Sequence, residues 1–155
     1  MINSKLIYKV LGQLLFIEAF LLFISLLVAY YYQQDDIFAF IVATLITIGG
    51  GLILKWKGHG ADNSMSRRDA YLVVSLSWII FSLFGTLPFM VSGYINNFTD
   101  AYFETMSGFT TTGASVLADV TAALHSTLFW RSFSHWIGGM GILVFILIFI
   151  PESNE

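Results

Sequence analysis

Apolar residues in this chain fall into four blocks, each too long for the core of a small globule. They run from about Leu6 to Tyr32, Ile37 to Trp56, Ala70 to Val91 and Ser126 to Ile150. At 1.5 Å of rise per residue the first block makes a helix roughly 40 Å long, enough to cross a bilayer with tilt. It ends at Tyr30, Tyr31 and Tyr32, as an aromatic belt at a membrane interface does. Gln33 to Asp36 form a tight polar turn. The second block is uncharged until Lys55 and carries Gly49, Gly50 and Gly51, which weaken a helix but let two helices approach closely. The third has no charge and holds Pro88 near its end. The fourth carries Arg131 and His135 in its first turns and stops at Pro151.

Between the third and fourth blocks the pattern changes. The stretch "NNFTDAYFETMSGF" opens with helix-start chemistry: Asn97 or Thr99 can cap, and Asp100 suits the first turn. A helix from Thr99 to Phe109 rises only about 16 Å, half a bilayer, so it cannot span. The run "TTTGAS" follows it. A half-helix and a polar segment that return to the side they came from describe a re-entrant loop, tolerated at membrane depth only where protein buries it or water lines it.

Composition agrees with lipid as the solvent. Of 155 residues, 57% are hydrophobic and 11% charged, and mean hydropathy is +0.78. A soluble domain carries about 25% charged residues. The net charge of −3 and the lack of basic clusters set nucleic acid aside. With no cysteine there is no disulfide or thiolate chemistry. The first block is too long for a signal peptide and lacks a cleavage site. Lysine and arginine give the orientation: Lys5 and Lys9 precede the first block, and Lys55, Lys57, Arg67 and Arg68 lie between the second and third. Residues 92 to 125 contain neither. The N-terminus and the 55–69 loop are therefore expected in the cytoplasm, and 92–125 outside. No soluble domain, linker or internal repeat is visible. The expected fold class is all-α integral membrane: two N-terminal transmembrane helices with a cytoplasmic loop over 1–69, then one helix–re-entrant pore loop–helix unit over 70–151.

A dehydrated cation needs oxygens in place of its water shell, and successive main-chain carbonyls aimed at one axis supply them. The negative end of the short helix would point toward that axis. Gly113 permits backbone angles that a Cβ resists. Taken alone, a Thr/Gly/Ser cluster also reads as an ordinary outer loop. The run "FETMSGFTTTGASVL", followed by "FWRSFSHWIGGMGILVFILIFIP", resembles the TrkH/KtrB/HKT superfamily of potassium uptake proteins, closest to the N-terminal part of a bacterial TrkH-type subunit. The run "SRRDAYLVV…FSLFGTLPF" looks like that family's first outer helix.

The resemblance implies one of four helix–pore loop–helix units arranged about a central axis, and potassium uptake without covalent chemistry or an enzyme activity. It implies main-chain carbonyl ligands for K⁺ at Thr110, Thr111, Thr112 and Gly113, with Thr111 and Thr112 foremost. The family's sodium-conducting plant members have serine at the place of Gly113, so glycine favours potassium. The resemblance also implies a bacterial inner-membrane location, dimerisation of a full-length subunit and a cytosolic nucleotide-binding regulatory partner; no cofactor is implied. This chain holds one unit, so two expectations stand. It is the first quarter of a conducting subunit, in one chain or by oligomerisation, or it is a non-conducting fragment that serves as a packing or assembly element.

Other polar residues have competing readings. Arg131 snorkels to the outer interface or braces the pore loop. Glu104 pairs with Arg131, caps backbone behind the threonine run, or faces outer water; a structural role is favoured over a direct ligand. Asp100 and Asp119 flank the run as surface charge or as a local attractant for cations. Glu18 lies inside the first block, where an ionisable group is costly, with Gln13 and Ser25 as possible company; pairing with a neighbouring helix or protonation would relieve it. His59, His125 and His135 lack metal-ligand spacing. "GGMG" at 138–141 reads as small-residue helix packing.

Overall fold

The computed structural model of the protein describes residues 2–62 and 64–149, and among these every regular element is helical. The elements are α1 (Ser4–Tyr31), α2 (Ile37–Lys57), α3 (Arg67–Gly85), α4 (Leu87–Val91), α5 (Phe98–Phe109) and α6 (His125–Phe149), with a single 3₁₀ turn at Val120–Ala122. Three helical stretches among the described residues are long and apolar enough to cross a membrane: Ser4–Tyr31, Ile37–Lys57 and Arg67–Val91. The chain is an all-α membrane protein.

Helices α1 and α2 form an antiparallel hairpin whose backbones touch. A Cβ added at Gly12 would lie 2.9 Å from the Gly51 carbonyl oxygen, so only glycine admits this approach. The hairpin turn is built by the end of α1. Gln33 takes a positive φ of 52°, its N–H donates to Tyr30 O (3.2 Å), and the Gln34 N–H donates to Ala29 O (3.1 Å). This pair of bonds satisfies two of the carbonyls that a helix end otherwise orphans.

At the far end of the bundle, the start of α1 is tied to the start of α3. Ser66 and Asp69 form a reciprocal capping box on α3. Asp69 Oδ1 also accepts from the Asn3 N–H (2.9 Å), and Asn3 Nδ2 donates to Asp62 O (3.0 Å). The third apolar block is not one continuous helix. Pro88 has no N–H to offer the Phe84 carbonyl, and its ring crowds that oxygen, so the helix breaks at Thr86 and restarts as α4. The break leaves Gly85 open to close approach from three sides, and the site described below is built around it.

Apolar packing concentrates in two places. The larger cluster joins Leu22, Ala29, Phe40, Phe89, Phe109 and Trp130, so α1, α2, α4, α5 and α6 share one core. A smaller one near the other end holds Ile7, Leu11 and Val73. Large apolar side chains outside these clusters, such as Phe20, Phe38, Leu45 and Ile53, face outward, as residues with lipid for a solvent do.

Glu18 is fully buried halfway along α1, and neither carboxyl oxygen has a hydrogen-bond partner. The pairing considered for it does not occur: Ser25 instead donates back to Leu21 O. Its Oε1 lies beside Gly85, 3.2 Å from where a Cβ there would sit. An unsatisfied buried carboxyl is a net cost to folding of about 1–3 kcal/mol. Glu18→Met, which keeps the volume and removes the polar atoms, is therefore expected to raise the unfolding free energy by about that amount. Chemical denaturation in detergent micelles measures it, and a loss of stability would show that Glu18 has a partner after all.

Candidate functional site: the short helix and the threonine turn

Helix α5 begins where Asn97 Oδ1 accepts from the Thr99 N–H (3.1 Å), with Asp100 in the first turn. Its buried positions, Ala101, Glu104, Thr105 and Gly108, recur at helical spacing on one face. That face wedges between α3 and α6. A Cβ at Gly85 would press on Thr105 (2.8 Å) and Phe109 (3.0 Å), so α5 rests directly on the helix break. Trp130 of α6 donates from Nε1 to the Gly85 carbonyl (3.0 Å) and sets its ring edge-on to Phe109. Gly138 lies against the Phe109 carbonyl and Gly108 against Ser134, each closer than a Cβ would permit. Gly138 is thirteen residues into α6, a rise of about 20 Å. The short helix thus stops halfway along its long neighbour, and the chain turns back.

The turn is closed by two helix-end bonds. The Thr111 N–H donates to Gly108 O (3.0 Å), and the Thr112 N–H to Ser107 O (2.9 Å); the Thr110 N–H donates to Met106 O (2.9 Å). This arrangement requires a left-handed residue at position 111, normally glycine. Here Thr111 holds it, at φ 56°, a conformation costly for a β-branched side chain. Gly113 follows at φ 77°. Three successive N–H groups are spent on the end of α5, and among the described residues no donor reaches the carbonyls of Thr110, Thr111, Thr112 or Gly113. The hydroxyls brace one another. Thr110 Oγ1 donates to Met106 O (2.7 Å), so the proton in its 2.8 Å bond to Thr112 Oγ1 comes from Thr112. The result is four carbonyl oxygens without donors in an exposed segment at the negative end of a helix, where a positive charge is electrostatically favoured.

The returning strand is pinned behind this row. Ser107 Oγ donates to Ala114 O (2.6 Å). Glu104, with its side chain fully buried, accepts from Ser115 Oγ (3.0 and 3.1 Å), from the Val116 N–H (3.0 Å) and from Arg131 Nε (2.6 Å). Of the readings open for Glu104, the structure shows pairing with Arg131 and bonding to backbone at the same time. Arg131 is largely covered, so it is not a snorkelling side chain in open solvent. His135 Nδ1 bonds the Arg131 carbonyl (2.8 Å), His125 stacks on Tyr32, and His59 is exposed. Among the described residues no cluster of three His, Cys, Asp or Glu side chains exists. Asp119 is exposed and caps the 3₁₀ turn. The Thr121 hydroxyl and N–H that it accepts hold its carboxyl below the usual range, so this bond persists above that range and is lost as the pH falls through the lowered value.

Sequence reasoning missed Ser107 and Ser115 as braces, and Gly108, against Ser134, as a close-approach position in the helix crossing. Each lies in a polar or small-residue run whose members look alike until the packing separates them.

A family model described as "TrkH: Cation transport protein" matches residues 33–153. The Trk system potassium uptake protein TrkH of Halomonas elongata is 34% identical over 150 residues, covering 96% of this chain and 31% of that protein. The protein of the same name from Escherichia coli is 33% identical over the same shares. The crystal structure of the potassium transporter TrkH from Vibrio parahaemolyticus superposes with a TM-score of 0.88 at 30% identity, covering 95% of this chain and 32% of that one. The chain spans about a third of the length of these relatives.

Two substitutions test the strained turn and its brace. Thr111→Gly is expected to raise stability by about 1 kcal/mol, since glycine accepts the left-handed conformation freely. Glu104→Ala, which leaves Arg131 without its counter-charge, should cost about 3 kcal/mol. Both are read from denaturation midpoints at equal protein concentration. A destabilising Thr111→Gly would mean that the side chain contributes more than its backbone costs.

Proposed function

The chain belongs to the TrkH family of cation transport proteins, and on that premise we propose that it supplies one quarter of a potassium-conducting pore. In this reading residues 1–69 are two peripheral helices with a cytoplasmic loop, and 70–151 are a single pore unit. Thr110, Thr111, Thr112 and Gly113 present main-chain carbonyls to K⁺, the transported substrate, with Thr111 and Thr112 as principal ligands. Glu104 and Arg131 hold the loop from behind. The observation that carries the reading is the row of four unpaired carbonyls at the end of a half-length helix. Oxygens from one unit reach an ion from one side only, so further units, in a longer chain or by assembly of copies, complete the ring. The membrane is the bacterial inner membrane, with the N-terminus in the cytoplasm. A cytosolic nucleotide-binding subunit regulates the assembled transporter.

Selectivity resides in the backbone on this account. A Cβ at Gly113 would meet nothing within 4 Å, so a side chain there does not clash; it strains the φ of 77° and shifts the neighbouring carbonyls. In a complete four-unit assembly, Gly113→Ser should lower the K⁺/Na⁺ flux ratio, on the order of tenfold, while total flux falls less. Thr111→Ser retains carbonyl and hydroxyl and should disturb the ratio less. An unchanged ratio in Gly113→Ser beside a lost one in Thr111→Ser would put discrimination in the side chains. A four-unit assembly that conducts nothing would favour the packing-element reading.

Orientation has its own test, made simple by the absence of native cysteine. Single cysteines at Ser64 and Asn96 are labelled with a membrane-impermeant reagent in intact cells. Labelling at 96 and not at 64 is expected; the reverse pattern would invert the topology.

A further inference from the structure

Helix α6 carries Arg131 and so governs Glu104, yet it starts without a cap of its own. The residue before it is Leu124, whose carbonyl accepts the Leu128 N–H but whose side chain cannot accept from any first-turn N–H. The acceptors come from elsewhere, about 90 residues earlier. Gln34 Oε1 accepts from the Ser126 N–H (3.0 Å). Asp36 Oδ2 accepts from Ser126 Oγ and from Thr127 Oγ1. Gln34 Nε2 bonds His125 Nδ1 (2.9 Å), and the Tyr32 ring stacks on the His125 ring at 4.4 Å and 8°. Three residues of the α1–α2 turn region, Tyr32, Gln34 and Asp36, thus grip three at the start of α6, His125, Ser126 and Thr127.

The grip is stiff. Asp36 is 2% exposed and places a carboxylate at the positive end of α6, where the helix field favours it. The turn itself is locked by the left-handed Gln33 and its two helix-end bonds. Arg131 lies five residues beyond Ser126, about 7 Å along the helix, so an error in how α6 is seated passes to the guanidinium with little loss. From there the path is direct: Arg131 to Glu104, and Glu104 to Ser115 and Val116, the strand that follows Gly113.

We propose that Gln34 and Asp36 are positioning residues for the pore loop: Gln34 caps the Ser126 N–H, Asp36 holds the Ser126 and Thr127 hydroxyls, and together they set where Arg131 holds Glu104. The peripheral hairpin is then part of the machinery that shapes the carbonyl row. The link to ion selectivity rests on the pore reading above; the link to loop geometry does not.

The test reads loop geometry first, on the 155-residue protein in detergent. Amide hydrogen exchange is followed at Ser126, at Val116 and, as a control at the other end of the bundle, at Leu54. In Gln34→Ala, which removes the acceptor of the Ser126 N–H, exchange at Ser126 should quicken about tenfold, the scale of a lost cap, and in Asp36→Ala, which frees the Ser126 and Thr127 hydroxyls, it should quicken less. Exchange at Val116 should quicken severalfold, and Leu54 should not change. Gln34→Glu keeps an oxygen for Ser126 and should restore both protected sites to near wild type. Thr127→Val removes one bond to Asp36 and should give a smaller shift of the same pattern, which serves if either alanine variant fails to fold. Faster exchange at Ser126 with Val116 unaffected would reduce the turn to a local cap and overturn the inference. Equal acceleration at all three sites, a global loss of stability, would overturn it too. In the four-unit assembly Asp36→Ala should also lower the K⁺/Na⁺ ratio. Altered Val116 exchange with an unaltered ratio would leave the positioning role standing and count against the pore reading.

Discussion

The ion pair between Arg131 and Glu104 is the constraint on which the rest of the site depends. A carboxylate with no exposed surface is tolerated only if its charge is matched and its lone pairs are used. Glu104 meets both conditions with one guanidinium N–H, one hydroxyl and one backbone N–H. These three groups come from α6 and from the strand after Gly113, so satisfying the carboxylate fixes the short helix, the long helix and the returning strand relative to one another. Removing the guanidinium strands a buried charge, and removing either neutral donor leaves a buried lone pair unused, which is why the arrangement is stiff as well as stable.

Stiffness of this kind is what lets the chain hold an unfavourable turn. Thr111 occupies a left-handed conformation that threonine resists, and it does so because the Thr111 and Thr112 N–H groups are committed to the end of α5 while the strand beyond is anchored at Glu104. Local strain of about 1–3 kcal/mol survives only where surrounding contacts over-determine the backbone. The same commitment of N–H groups to the helix leaves the carbonyls of Thr110 to Gly113 without donors. One local geometry therefore yields both the strain and the row of oxygens.

The long helices contribute depth and support. The break at Pro88 opens a seat at Gly85 on which α5 rests, and Trp130 fastens α6 to the same carbonyl. Gly138 lets α6 meet the Phe109 backbone, and Gly108 makes room for the Ser134 side chain. Glu18, buried at this junction with nothing to bond, works against the packing around it.

Much of the architecture was legible along the chain. Block length and the 3.6-residue period are local properties, so the helices came out close to their expected limits, and the half-length helix at Phe98–Phe109 followed from its caps and its shortness. The exception among the long blocks, the break at Thr86, was signalled by Pro88 but placed only by its effect on the Phe84 carbonyl. The candidate site was also a local signal: a threonine run before a glycine can present carbonyls wherever it is buried or water-lined. What only the tertiary structure decided was which polar groups meet. Ser115 and Ser107 look like their neighbours in sequence, and the pairing of Gln34 and Asp36 with Ser126 and Thr127 joins residues some 90 positions apart. Periodicity reports which face of a helix is apolar, because that depends on each residue's own side chain. A hydrogen bond between distant segments depends on how the helices are seated against each other, and that is settled only when all of them pack at once.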